Sequence, residues 1–116
     1  MLLKTMVFMT TRSSTLDAYV FEVLMPDLVG HDRRPAAFVV YLYLLHSAQA
    51  LGRDQVPASL QTIATKTGLS KSAVQLALRH LKRRGLIGAE EVGTQVNPVR
   101  QVLRPWRRPS ALRPAA

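Results

Sequence analysis

A mainly α-helical fold closed by a small β-hairpin is the class this sequence predicts, and three observations predict it. Glycine follows three apolar-periodic runs, at Gly52, Gly68 and Gly85, where helices commonly stop. Serine precedes the last two of these runs, at Ser59 and Ser70, where helices commonly start. After Leu86, short apolar runs flank the turn-forming stretch GTQVNP, the pattern of two strands and a loop.

The elements follow in chain order. Residues 1 to 13 show no clear period and read as an extended arm. Ser14 or Thr15 is placed to cap a first helix running to about Met25, with Asp17 in its first turn and Pro26 closing it. The stretch PDLVGHDRR is rich in turn residues and reads as a connection. Pro35 suits the first position of a second helix, where its missing N–H costs nothing, and Asp32 just upstream favours that helix N-terminus. This helix runs to about Leu51 and stops at Gly52. Its apolar residues, Ala37, Phe38, Val40, Tyr41, Leu42, Leu44, Leu45 and Ala48, cover more than one face. It is therefore the central buried helix, or one that touches both the core and a second chain.

Val56 fits an edge strand ahead of Pro57. Ser59 caps a helix from Leu60 to Thr67, and Ser70 caps another from Lys71 to Arg84. Two helices are thus joined by the three residues GLS, and a hairpin follows. That order is a winged helix-turn-helix: a three-helix core, an N-terminal helix and a C-terminal wing over residues 87–104. The expected organisation is an arm and helix over 1–31, suited to dimerisation, a winged domain over 32–106, and a basic tail over 107–116.

Composition narrows the function. The chain has 116 residues, enough for one domain with its own core, and its 47% hydrophobic and 20% charged content is globular. It holds no cysteine, which excludes a disulfide scaffold, a thiolate zinc site and a cysteine nucleophile. The start MLLKTMVFM is interrupted by Lys4 and Thr5 and lacks a basic leader, so it makes a poor signal peptide. AAFVVYLYLL is far shorter than the roughly 20 residues a membrane span needs. A cytoplasmic, nucleoid-associated protein without a membrane partner is expected. His31, His46 and His80 lack the i,i+4 histidine pairing of a helical metal site, and neither a glycine-rich phosphate loop nor a G-x-S-x-G elbow occurs. No metal, no cofactor and no enzymatic activity are expected.

The net charge is +9, and all of it lies in the C-terminal half. Residues 1 to 65 balance five cations against five acids, whereas residues 66 to 116 set eleven cations against Glu90 and Glu91 alone. A field so one-sided suits a polyanion, with nucleic acid ahead of an acidic membrane; the plainer alternative is a solubilising surface.

The helix from Lys71 decides between these. With Val74 at zero and about 100° per residue, Ala77, Leu78 and Leu81 fall on the inward stripe. Ser72, Gln75, Leu76, Arg79 and Arg83 point outward, with Lys71 and Lys82 flanking them. No acid occurs from Lys66 to Gly88, so this helix forgoes the Glu–Lys pairs that support an ordinary solvated face. In a DNA major groove, glutamine pairs with adenine, arginine with guanine, and an aliphatic group touches a thymine methyl. Lys71, Ser72 and Gln75, near the helix start, are the candidates for base edges. Arg79 and Arg83, with the hydroxyls of Ser59 and Thr62, are candidates for phosphates, and Ser70 and Lys82 join the DNA-binding set. In the wing, Gln95 and Asn97 near the tip and Arg100 on a strand shared in phase with Arg104 complete the candidate set. Trp106 reads as a plug against the core rather than a stacking platform. Leu76 stays open between a thymine contact and a protein partner.

The segment VPASLQTIATKTGLSKSAVQLALRHLKRRGLI, residues 56 to 87, resembles the DNA-binding segment of the GntR and MarR families of bacterial winged-helix regulators. Leu60, Ala64, Gly68, Ser70, Val74, Ala77, Leu78, Leu81, Gly85, Leu86 and Ile87 carry it in register. The resemblance implies a recognition helix over Lys71 to Arg84, a basic wing and double-stranded DNA as the partner. Leu76 stands where those families usually place a polar residue. The N-terminal half, FEVLMPDLVG leading into the long helix, is similar to phage and plasmid replication proteins of the O type. Three readings follow: a dimeric transcriptional regulator, a replication-initiation protein, or a winged-helix adaptor for protein partners. No effector class is legible.

Overall fold

The computed structural model of the chain describes residues 13–88 and 98–107. Helix α1 runs as two π-helical segments, Val20–Leu24 and Pro26–His31. It is followed by α2 (Pro35–Leu51), β1 (Gln55–Pro57), α3 (Leu60–Thr67), α4 (Lys71–Arg83) and β2 (Val99–Gln101). Helices α2, α3 and α4 with the antiparallel β1–β2 pair form a winged helix-turn-helix, as the sequence predicts. Among the described residues no helix is long and apolar enough to cross a membrane.

Local chemistry accounts for most boundaries. The Ser59 and Ser70 hydroxyls accept from the N–H groups of Thr62 and Ala73, each at 3.1 Å, satisfying donors that the first helical turn leaves bare. Gly52, Gly68 and Gly85 adopt positive φ of 71°, 85° and 72°, the left-handed turn that ends a helix with least strain at glycine.

The N-terminal helix departs from expectation. Pro26 does not close it, and neither Ser14 nor Thr15 caps it. Bonds run from Met25 N–H to Val20 O and from Asp32 N–H to Asp27 O, five residues back, so the turn is wide. Pro26 has no N–H to lose, and the wider turn carries the carbonyl four residues back away from its ring. The hydroxyl of Ser14 bonds Nδ1 of His46, while the Gln49 amide takes both backbone groups of Thr15, at 2.5 and 2.6 Å. The helix therefore starts later and continues to His31, burying Val20, Leu24 and Leu28.

Helix α2 is the common partner of α1, α3, α4 and β1. Its Val40, Tyr41 and Leu44 are wholly buried, and Val74, Leu81 and Ile63 meet the same core. The Tyr41 hydroxyl donates to Leu103 O at 2.5 Å, and burial holds its phenol well above the ordinary ionisation range. At the base of the wing Ile87 bridges Val102, and Gly88 N–H bonds Gln101 O at 2.9 Å. Val56 opposite Arg100 continues the sheet on the other side.

The two ends of the described chain are clasped together. Asp17 accepts from Trp106 Nε1 at 2.7 Å and from Arg107 Nε and Nη2 at 2.8 and 2.9 Å. Trp106 stacks on Tyr19 with ring centroids 4.8 Å apart and meets Tyr41 edge-on, so it plugs the core margin. The Arg107 hydrogen bonds, aided by the Trp106 one, hold the Asp17 carboxyl at about 2 against an ordinary 3.8. A depressed folded value means that the clasp contributes fully above the ordinary value and is lost as pH falls through about 2. Asp17→Asn is expected to lower stability near neutral pH by about 1–2 kcal/mol. In urea denaturation over a pH series, the gap between variant and wild type should close toward pH 2; a constant gap contradicts the assignment.

Candidate nucleic-acid interface

The burial of one stripe sets how α4 presents the rest of itself. Val74, Ala77, Leu78 and Leu81 are buried, so the opposite face stands clear of the core. At about 100° per residue, that remainder divides into three lines. Lys71, Gln75 and Lys82 face the wing, Ser72, Leu76, Arg79 and Arg83 form the outermost ridge, and His80 and Arg84 face α1.

The wing-side line borders a groove of about 590 Å³ between the start of α3, helix α4 and the base of the wing. Ser59, Lys71, Gln75, Arg79, Lys82 and Arg100 all line it, with Gly88 and Pro98 at the wing base. The structure thus brings six of the sequence-predicted residues to one concavity. Lys71, Arg79 and Lys82 have no acid partner among the described residues. Thr62, Ser70, Ser72 and Arg83 lie outside the groove lining but are exposed. Gln95 and Asn97 fall outside the described residues.

Ser59 and Ser70 serve first as caps. Ser59 also donates to Thr62 Oγ1 at 3.0 Å, which leaves Thr62 as the hydroxyl of that pair with a proton to give outward. The Ser70 and Ser72 hydroxyls lie 3.3 Å apart at the start of α4, beside backbone N–H groups whose dipole favours an anion.

Arg100 corrects its expected role as an outward contact in phase with Arg104. It is 3% exposed, and its Nε donates to Ala58 O at 2.7 Å. The reason is its register opposite Val56, which turns it into the sheet's inner side. Strand β2 ends at Gln101, so Arg104 is beyond the strand, paired with Asp54 at 2.6 Å. Arg100 therefore braces the wing base against the loop that leads into α3.

A second cluster, between α4 and the end of α1, has almost no signal in the sequence. His80 Nε2 lies 2.7 Å from Asp32 Oδ2, Arg84 pairs with Asp27 and reaches Asp32 at 3.2 Å, and Arg83 Nη2 lies 3.2 Å from His80 Nδ1. Hydrogen bonds from His31 and then His80, with Arg84 adding its charge, hold the Asp32 carboxyl below its usual range. Asp32 thus anchors α4 to the end of α1 rather than capping α2. Asp27, His31 and Asp32 have the reach to share a cation, but Arg84 already pairs with both acids, and the cluster works as an ion-pair network. The i,i+4 spacing of Asp27 and His31 was its one sequence signal; the pairing with residues about fifty positions away had none.

Residues 34–87 match the helix-turn-helix domain family. The matched span covers a little under half of the chain and holds α2, β1, α3, the GLS turn and all of α4. It supports DNA as this domain's partner, at the level of the helix-turn-helix as a class rather than of GntR, MarR or O-type proteins. No curated protein and no solved structure matches the chain.

The two arginine environments are separable by experiment. Arg100→Met is expected to cost about 2 kcal/mol of stability through the lost buried hydrogen bond. Arg79→Ala should stay within about 0.5 kcal/mol of wild type, as exposed sites do. Comparable denaturation midpoints for both variants contradict the bracing role.

Proposed function

We propose that this protein is a sequence-specific double-stranded DNA-binding protein, acting as a dimeric transcriptional regulator with α4 in the major groove and the wing beside it. The observation that carries the reading is the groove lined by Lys71, Gln75, Arg79 and Lys82, basic and without an acid on its α4 wall. Phosphates passing along it meet fixed cations and the N-terminal ends of α3 and α4. Gln75, projecting from the first half of α4, has the donor and acceptor that adenine requires, whereas Arg83 on the last turn suits a phosphate. Ser72 and Lys71 join Gln75 at base edges; Thr62, Arg79 and Lys82 hold the backbone. Such a protein resides with the nucleoid, needs no cofactor and performs no catalysis.

Dimerisation is supported by α1. Phe21, Val23, Met25 and Val29 are each about two-fifths exposed on a helix whose buried side already fills the core. The N-terminal half carries no net charge, so two copies meet there without the repulsion that their basic halves impose. A two-fold pair also doubles the sequence read, since one recognition helix spans few base pairs. The replication-initiation alternative shares the same DNA face and differs in the arrangement of sites.

Selection of bound duplexes from a random library separates the readings: a palindrome favours the dimeric regulator, iterated sites an initiator, and no enrichment an adaptor. Gln75→Ala should flatten base preference, while Arg83→Ala weakens cognate and random duplex alike and lowers the salt slope by about one. Equal losses on both duplexes for both variants would sink these roles. Phe21→Glu with Met25→Glu should give a monomer by light scattering; an unchanged dimer mass places the interface elsewhere.

A further inference from the structure

Leu76 is the most exposed large apolar side chain among the described residues, at 51%. It stands about 200° from Val74, nearly opposite the stripe that holds α4 to the core. The core has no use for it, because Val74, Ala77, Leu78 and Leu81 complete the buried side. Ser72, Arg79 and His80 are its neighbours along the helix surface, and no other large apolar side chain is exposed on α4. A protein partner docking here would gain one leucine while stripping water from the cations around it, an unfavourable exchange.

We infer that Leu76 reads the 5-methyl group of a thymine on the floor of the major groove and sets base preference at that position. The inference rests on the DNA-binding reading above. Among base edges in the major groove, the one apolar group that projects is the thymine methyl; the donors and acceptors beside it are groups that a leucine would cover without satisfying. Leu76 lies in the first half of α4, the part of a recognition helix that approaches the bases, and on the ridge that enters the groove furthest. Gln75, one residue earlier, projects about 100° round toward the wing, where its amide matches the N6 and N7 edge of adenine. The adjacent pair therefore selects A·T pairs, one side chain by hydrogen bonding and the other by its methyl contact.

The test starts from a duplex enriched by the full chain from a random library. Each thymine is then replaced singly by deoxyuridine, which removes the methyl and keeps every hydrogen-bonding atom. Affinities are measured at one salt concentration for wild type and for Leu76→Ala, a surface change whose fold is checked by circular dichroism. At one thymine the replacement should weaken wild type about fourfold, the worth of one methyl group removed from water. Leu76→Ala should bind the thymine and uracil duplexes equally. Wild-type indifference to every replacement, or the same fourfold loss in Leu76→Ala, overturns the inference and leaves DNA binding intact. If the library yields no enriched duplex, the DNA-binding reading fails and the role of Leu76 fails with it.

Discussion

The seating of α4 on α2 through Val74, Ala77, Leu78 and Leu81 is the contact on which the rest of the molecule depends. It fixes the rotation of α4 about its own axis, and with it which side chains line the groove, which form the ridge and which turn toward α1. A rotation of one residue's worth, about 100°, would exchange those lines. Capping at Ser70 and the left-handed glycines at Gly68 and Gly85 hold the helix in length, so its register against α2 cannot slide without stranding backbone groups.

Electrostatics follows from the same packing. Four acids of the N-terminal half are placed against basic side chains that lie away from the groove: Asp17 against Arg107, Asp54 against Arg104, Asp27 against Arg84, and Asp32 against Arg84 and His80. Lys71, Arg79 and Lys82 are left facing outward together. Among the described residues, the excess charge of the C-terminal half thus includes a basic concavity beside α4 whose lysines and Arg79 have no acid partner. Beyond any stability they add, these pairings decide where the positive field points.

Much of this was legible beforehand because the signals are local. Helices α2, α3 and α4, the serine caps of the last two, the terminating glycines and the strand at Val56 all depend on residues a few positions apart, and each appears within a residue of where periodicity and capping put it. The first helix departs from its sequence pattern for a reason equally physical. Pro26 breaks an α-helix, and nothing within ten residues of it announces that tertiary contacts with α2 will stabilise a wider turn instead. Arg100 turns inward without a sequence signal because strand periodicity says which residues share a side but not which side is covered.

By itself, then, the sequence determined the winged helix-turn-helix class, the acid-free outer line of α4 and the placement of all net charge in the C-terminal half, since caps, periodicity and composition are properties of neighbouring residues. Tertiary structure alone decided that Arg100 turns inward as a brace, that Asp32 anchors the recognition helix, and that Asp17 clasps Trp106 and Arg107 across the chain. Those contacts join residues forty to ninety positions apart, and a pairing over such a span is set by how helices and strands pack rather than by any local preference.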